Sequence, residues 1–266
     1  MYICVHKPVY YNKLKEEGIH IQILKTLFGV YSMIVVFVTL IIVIPCYLVI
    51  FNLWNKERAA IAACKISRFW ARLLFIGFFI RVEVKGMELI DPNQVYVFVC
   101  NHRSQLDIPL FAMACKGPFR FLSKIEVTRI PLVGYVVKKL YITVDRKKRE
   151  DRVISLRKME DSLLKERIPV LLFPEGTRNR TDAPLIDFKD GAFRLAIETQ
   201  TPIGVLTMLN SGDFSPANKL LQLKPGKIKA AWSEPIITKG MTLDDIPKLK
   251  EEVKKRLLEK LRTKNE

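Results

Sequence analysis

The run Val95-Tyr96-Val97-Phe98-Val99-Cys100-Asn101-His102-Arg103-Ser104-Gln105-Leu106-Asp107-Ile108-Pro109-Leu110-Phe111-Ala112-Met113 decides how this chain folds. Residues 95–100 are continuously apolar, as in a buried strand, and 108–113 read as an apolar turn or two of helix. The polar cluster between them therefore lies at a strand end, where α/β folds usually place their sites. Of the three histidines, His6 and His20 precede a membrane-like segment, so His102 alone is left for the folded body. A neutral imidazole can take a proton from an alcohol, and a carboxylate on its other nitrogen fixes the tautomer and stabilises the imidazolium. Asp107 falls in the first turn if the helix begins near Ser104 or Gln105, and Ser104 is a good N-cap type. On this spacing alone, a solvated loop with a capping serine is the more ordinary reading.

A second landmark changes that balance. Ile168-Pro169-Val170-Leu171-Leu172-Phe173 is another buried-strand run, ending in Pro174-Glu175-Gly176-Thr177-Arg178-Asn179-Arg180. Gly176 permits a tight backbone, and Arg178 and Arg180 offer fork-shaped donors suited to phosphate. Glu175 can anchor one of those arginines or a ligand hydroxyl. Two such loops in one small domain combine a proton acceptor with an anion holder.

On either side of these loops, strands and helices alternate. Strands are expected at 81–84, 95–100, 119–122, 140–144, 168–173, 203–209 and 228–232. Helices are expected at 108–114, 150–167 and 190–199, with a helical crossover over 127–139 broken by Pro131 and Gly134. This alternation predicts an α/β fold, a largely parallel mixed sheet flanked by helices. Residues 243–261 form a charged amphipathic helix that reads as a surface cover.

The N-terminal part differs. Residues 1–26 are a polar tail, whereas Leu27 to Trp54 carry no charge at all. As a helix that run is about 42 Å long, more than the roughly 30 Å hydrocarbon core of a bilayer. It is too long for a signal peptide, and Trp54-Asn55-Lys56-Glu57 offers no small-residue cleavage site. In the helix expected from Arg58 to Ile80, Arg58, Lys65, Arg68 and Arg72 fall within about 80° of one another, a basic stripe among aromatic residues. It reads as an interfacial helix against anionic headgroups, with packing on the domain as the alternative. Cationic flanks on both sides of the apolar run favour a re-entrant hairpin over a full span. The expected division is a membrane segment over 1–80 and an α/β domain over 81–266.

A formal charge of +17 and a pI near 9.7 imply an anionic partner: nucleic acid, a phospholipid surface or a phosphorylated substrate. The densest basic stretch, Arg146-Lys147-Lys148-Arg149, comes with no recognised nucleic-acid motif, so nucleic acid is set aside. The five cysteines show no C-x-x-C spacing, which suits free thiols in a reducing compartment and gives no sign of zinc. Cys100 reads as a buried strand residue rather than a nucleophile. There is no G-x-S-x-G elbow.

With these motifs in place, the sequence resembles the glycerolipid acyltransferases, and among them the 1-acylglycerol-3-phosphate (lysophosphatidic acid) acyltransferases. Asn101, His102 and Asp107 match that family's Asn-His-x-x-x-x-Asp motif. Phe173 to Arg178 match its Phe-Pro-Glu-Gly-Thr-Arg motif residue for residue. Lys124, the stretch from Gly134 through Arg146, and Thr201-Pro202-Ile203 resemble its intervening and late motifs. Asn179 and Thr201 depart from the usual serine and valine. The resemblance covers roughly residues 80 to 235.

It implies transfer of an acyl chain from acyl-CoA or acyl carrier protein to the sn-2 hydroxyl of lysophosphatidic acid, giving phosphatidic acid at the cytoplasmic face of a membrane. His102 is then the general base and Asp107 its orienting carboxylate. Lys124, Arg146, Glu175, Gly176, Thr177 and Arg178 form the substrate site, and neither metal nor cofactor is required. An N-terminal two-helix membrane motif is also implied. Other acceptors (glycerol 3-phosphate, a lyso-ornithine lipid or another lysolipid) and a non-catalytic lipid-binding role stay open.

Overall fold

The computed structural model describes residues 7–145, 147–217 and 222–263. Among the described residues seven strands run in chain order as β1 Ile80–Lys85, β2 Val97–Cys100, β3 Arg120–Lys124, β4 Ile142–Val144, β5 Val170–Leu172, β6 Ile203–Met208 and β7 Gly226–Trp232. The helices are α1 Lys7–Leu53, α2 Lys56–Gly77, α3 Asp107–Ala114, α4 Val133–Leu140, α5 Arg149–Leu164, α6 Gly191–Glu198, α7 Ser211–Phe214 and α8 Ile246–Arg262. The strands make one sheet in the order β1-β7-β6-β2-β5-β3-β4. Every neighbouring pair is parallel except β6 with β7, so the mixed, largely parallel α/β sheet expected from the alternation is the one that forms.

The continuous apolar runs of β2, β5 and β6 follow from their position: all three are buried along their length. Successive side chains point to opposite faces. Phe98 and Cys100 join a core with α2 and α3, while Val97 and Val99 join another with α5, α6 and α8. Gly204 lies where a Cβ would meet the Phe98 ring at 2.8 Å, so its bare backbone makes room for that ring. Because β6, β2 and β5 are adjacent and parallel, their C-terminal ends open side by side.

Element ends differ from the sequence pattern by a few residues. α5 stops at Leu164 rather than Arg167, because Arg167 takes φ 57° and the Ile168 N–H turns back to the Ser162 carbonyl. A non-glycine residue seldom adopts this left-handed conformation, so nothing in the sequence announces the turn at Arg167.

The polar tail of the sequence reading is corrected in part: from Lys7 onward it is helical and continuous with α1. α1 and α2 form an antiparallel hairpin, with Tyr47 against Ser67, Thr39 against Trp70, and Val35 in the space left by Gly77. The hairpin reverses at Trp54–Asn55, where the Asn55 side chain accepts from the Arg58 N–H. The cationic flanks around Lys25 and Arg58 thus lie toward opposite ends of α1, not on one side as a simple re-entrant loop requires. Residues 23–53 of α1 are long and apolar enough to cross a membrane by length and composition.

α2 is also more than an interfacial strip. Ala71, Leu74, Phe75 and Phe78 are buried in the sheet's core. Arg68 leaves the basic stripe and donates to the Ala112 and Cys115 carbonyls at the C-terminal end of α3, where a cation meets the helix dipole.

Candidate active site

The chain leaves β2 through Asn101, which is wholly buried. Its side-chain amide donates to the Met208 carbonyl at 3.0 Å and accepts from the Met208 N–H at 2.8 Å, continuing the pairing with β6 one residue past the end of β2. This fixes the start of the loop bearing His102.

His102 Nδ1 lies 2.8 Å from Asp107 Oδ2, with the histidine side chain 16% exposed and the aspartate 0%. The same oxygen accepts the N–H groups of Arg103 and Ser104, each at 2.8 Å. Asp107 begins α3 and reaches back to the loop, as the spacing suggested. Ser104 caps less directly than expected: its hydroxyl accepts from the Leu106 N–H, and Leu106 holds the N-cap position. A carboxylate on Nδ1 leaves the lone pair of Nε2 available to accept a proton.

The second loop follows β5. The Gly176 N–H donates to the Phe173 carbonyl, closing a turn with Pro174 at its second position, and Gly176 takes φ 70°. The Phe173 ring stacks on His102, with centroids 4.0 Å apart at 19°. Glu175 is buried, and its oxygens accept the N–H groups of His102 at 2.7 Å and Ile186 at 3.2 Å. Burial pushes this carboxyl above the ordinary glutamate range, against the opposing pull of those two N–H groups. Glu175 therefore binds the two loops together by their backbones. Asn179 adds a strap, its N–H donating to the His102 carbonyl at 2.7 Å.

One cavity of about 680 Å³ connects these pieces. At one end it is lined by His102, Lys124, Gly176, Thr177, Arg178 and Arg180. At the other it runs between α1, α2 and α4 past Val43, Trp70, Val136 and Tyr141. Arg178 Nη1 is buried without a hydrogen-bond partner among the described residues. Lys124 pairs with Glu126 at 3.0 Å. Asp107 and Glu175 stand behind the wall, and Arg146 lies outside the described residues. Sequence reasoning missed Phe173 as a platform for the imidazole. It also missed Arg103, which donates to the Thr181 and Ala183 carbonyls and pins the loop beyond Arg180. Among the described residues no group of three or more His, Cys, Asp or Glu is arranged to hold a metal.

The arrangement offers a proton acceptor and a guanidinium on one polar rim, backed by an apolar channel, which suits an anionic amphiphile carrying a reactive hydroxyl. Comparison with known proteins agrees in kind. The acyltransferase family model matches residues 81–208. Mouse 1-acyl-sn-glycerol-3-phosphate acyltransferase alpha is 35% identical over 182 residues, 67% of this chain and 63% of that protein. The Chlamydomonas reinhardtii 1-acyl-sn-glycerol-3-phosphate acyltransferase is 34% identical over 195 residues, 72% of this chain and 56% of that one. The match thus spans less than two thirds of the length of these curated relatives. The crystal structure of the 1-acyl-sn-glycerophosphate (LPA) acyltransferase PlsC from Thermotoga maritima superposes with a TM-score of 0.77 at 26% identity, over 91% of this chain and 97% of that one.

Proposed function

Residues 81–208 belong to the acyltransferase family, and from that premise we propose that the chain moves an acyl group from acyl-CoA or acyl carrier protein to the sn-2 hydroxyl of 1-acylglycerol 3-phosphate. The product is phosphatidic acid. The observation that carries this reading is that His102, backed by Asp107 at 2.8 Å, and the Arg178 side chain line one cavity.

In this mechanism Arg178 holds the phosphate of the acceptor, with Lys124 swinging from Glu126 to join it. Thr177 and Arg180 complete the rim, and Arg146 is assigned to the same anion by resemblance. The hydroxyl two carbons away then reaches His102 Nε2. The imidazole removes its proton as the oxygen attacks the thioester carbonyl, and Asp107 stabilises the imidazolium. N–H groups around Gly176 receive the charge on the tetrahedral oxygen. Collapse breaks the C–S bond, and the imidazolium returns its proton to the departing thiolate. General base catalysis of this kind contributes roughly 10²- to 10⁴-fold, and positioning of the two reactants adds to it.

The apolar arm of the cavity takes an acyl chain, its walls shared between residues 1–80 and the 81–266 domain. Both substrate and product are lipids, so we assign the chain to the cytoplasmic face of a membrane, with the α1–α2 hairpin in contact with the leaflet. The test is a panel of donors and acceptors with thin-layer separation of the products. Phosphatidate from lysophosphatidate with either thioester supports the reading. Product from glycerol 3-phosphate alone, or none from any pair, overturns it.

A further inference from the structure

Residues 125–132 connect β3 to α4, and the proposed chemistry makes no use of their outer surface. Leu132 sits at φ 65° and ψ −51°, and the Val133 N–H donates to the Pro131 carbonyl at 2.7 Å. This is a γ-turn of the rare hand, centred on a leucine rather than a glycine, and it is strained. Neither flanking side chain fills the core: Leu132 is 58% exposed and Ile130 is 50% exposed.

The corner is held firmly from within. The Thr128 hydroxyl donates to the Ile125 carbonyl at 2.7 Å, and the Gly134 N–H to the Ile130 carbonyl at 2.7 Å. A Cβ on Gly134 would come within 2.1 Å of the Thr128 carbonyl oxygen, so two backbone segments cross there without room for a side chain. A fixed scaffold thus presents two large aliphatic side chains outward.

What surrounds them identifies the occupant. Arg129 is exposed next to the tip, Lys138 and Lys139 are exposed in the last turn of α4, and Lys139 Nζ stands 5.9 Å from the Tyr135 ring. α4 packs on the second half of α1, with Val136 and Leu140 against Val43, Tyr47 and Ile50, and Tyr135 edge-on to Phe51 at 6.1 Å. Beside that joint α1 exposes Leu48, Val49 and Leu53, followed by Trp54. The apolar surface of α1 therefore continues onto the corner and is rimmed by cations and an aromatic ring, the pattern of a surface seated in an anionic bilayer interface. Val127 and Val133, on either side of the tip, line the cavity.

We propose that Ile130-Pro131-Leu132 is a bilayer-penetrating tip, a second contact with an anionic phospholipid leaflet, which sets the mouth of the cavity at the depth of the lipid headgroups. The proposal rests on the membrane-docked reading above. The test uses the full chain on vesicles of phosphatidylcholine and phosphatidylglycerol with brominated acyl chains. The emission of Leu132→Trp in a Trp54→Phe background is compared with that of Trp54→Phe alone. Sedimentation shows that the protein is bound, and the added tryptophan should then be quenched and blue-shifted.

A bound protein whose added tryptophan still emits as in water overturns the tip and leaves membrane docking standing. Such an outcome would assign the patch to a protein partner instead. A chain that fails to sediment overturns both, while lysophosphatidate turnover in detergent still tests acyl transfer separately. Leu132→Gly is the second variant, since glycine accepts this φ and folding is not put at risk. It should weaken vesicle binding roughly tenfold, with Tm unchanged or raised. Unchanged vesicle affinity would count against the tip.

Discussion

Replacing Asp107 by asparagine isolates the charge behind His102 from the geometry that positions it. Asp107 Oδ2 accepts three N–H donors at 2.8 Å, while Oδ1 is buried with no partner among the described residues. An asparagine can set its amide oxygen where Oδ2 stands and its NH₂ where Oδ1 stands, so the three bonds persist without the negative charge. Each charge-assisted bond weakens by about 1 kcal/mol, and the new NH₂ is left unsatisfied, so the fold should lose about 3–5 kcal/mol. The larger effect falls on turnover, because the imidazolium formed in the transition state no longer faces a carboxylate. By analogy with other His–Asp pairs, kcat should fall about 10²- to 10⁴-fold, or about 3–5 kcal/mol of barrier. KM for lysophosphatidate should stay near its wild-type value, since Asp107 lies behind the cavity wall. The assay is steady-state phosphatidate formation, with circular dichroism and thermal melting on the same samples. A folded Asp107→Asn protein that turns over at the wild-type rate refutes the assignment of His102 as base.

Arg178→Ala should raise KM for lysophosphatidate by roughly 10- to 100-fold through a lost charge-assisted contact, with Tm little changed, as steady-state kinetics and melting will show. Asn101→Ala removes both bonds to Met208 and strands that backbone, which should cost about 2–4 kcal/mol in denaturant titration. Val136→Phe narrows the cavity between α1 and α4. Each methylene that no longer fits should cost about 0.8 kcal/mol, near fourfold in kcat/KM, read from a series of acyl donors. Burial raises the Glu175 carboxyl above its unfolded value, so its contribution to stability is complete below the ordinary glutamate range and lost as pH rises through the raised value. The stability of the wild type relative to Glu175→Gln should therefore fall as pH increases across that window, followed by chemical denaturation at a series of pH values.

Which parts of this site the sequence reveals follows from the range of the interactions. The two polar loops are legible because each caps a continuous apolar strand, and burial on both faces of a parallel sheet writes that run directly into the sequence. The His102–Asp107 pair is legible because it closes within one turn of helix. By contrast, Asn101 and Met208 are 107 residues apart, and Glu175 lies 73 residues from the His102 N–H that it accepts. Those partners depend on β6, β2 and β5 being neighbours, and strand-helix alternation leaves that order open. Glu175 was thus free to be read as an anchor for an arginine, though its oxygens bind backbone.

Arg68 fails for a related reason. A helical wheel gives its angle beside Lys65 and Arg72, but not that the carbonyls ending α3 lie against that angle. Leu132 is the extreme case: no residue pattern marks a leucine for positive φ, and the close crossing of Gly134 over Thr128 beside it is no more visible in the sequence. Strain of this kind is absent from propensity and must be justified by what it presents. Here that is an aliphatic pair beside the exposed end of α1, which ties the placement of the cavity mouth to the surface proposed above to meet the lipid.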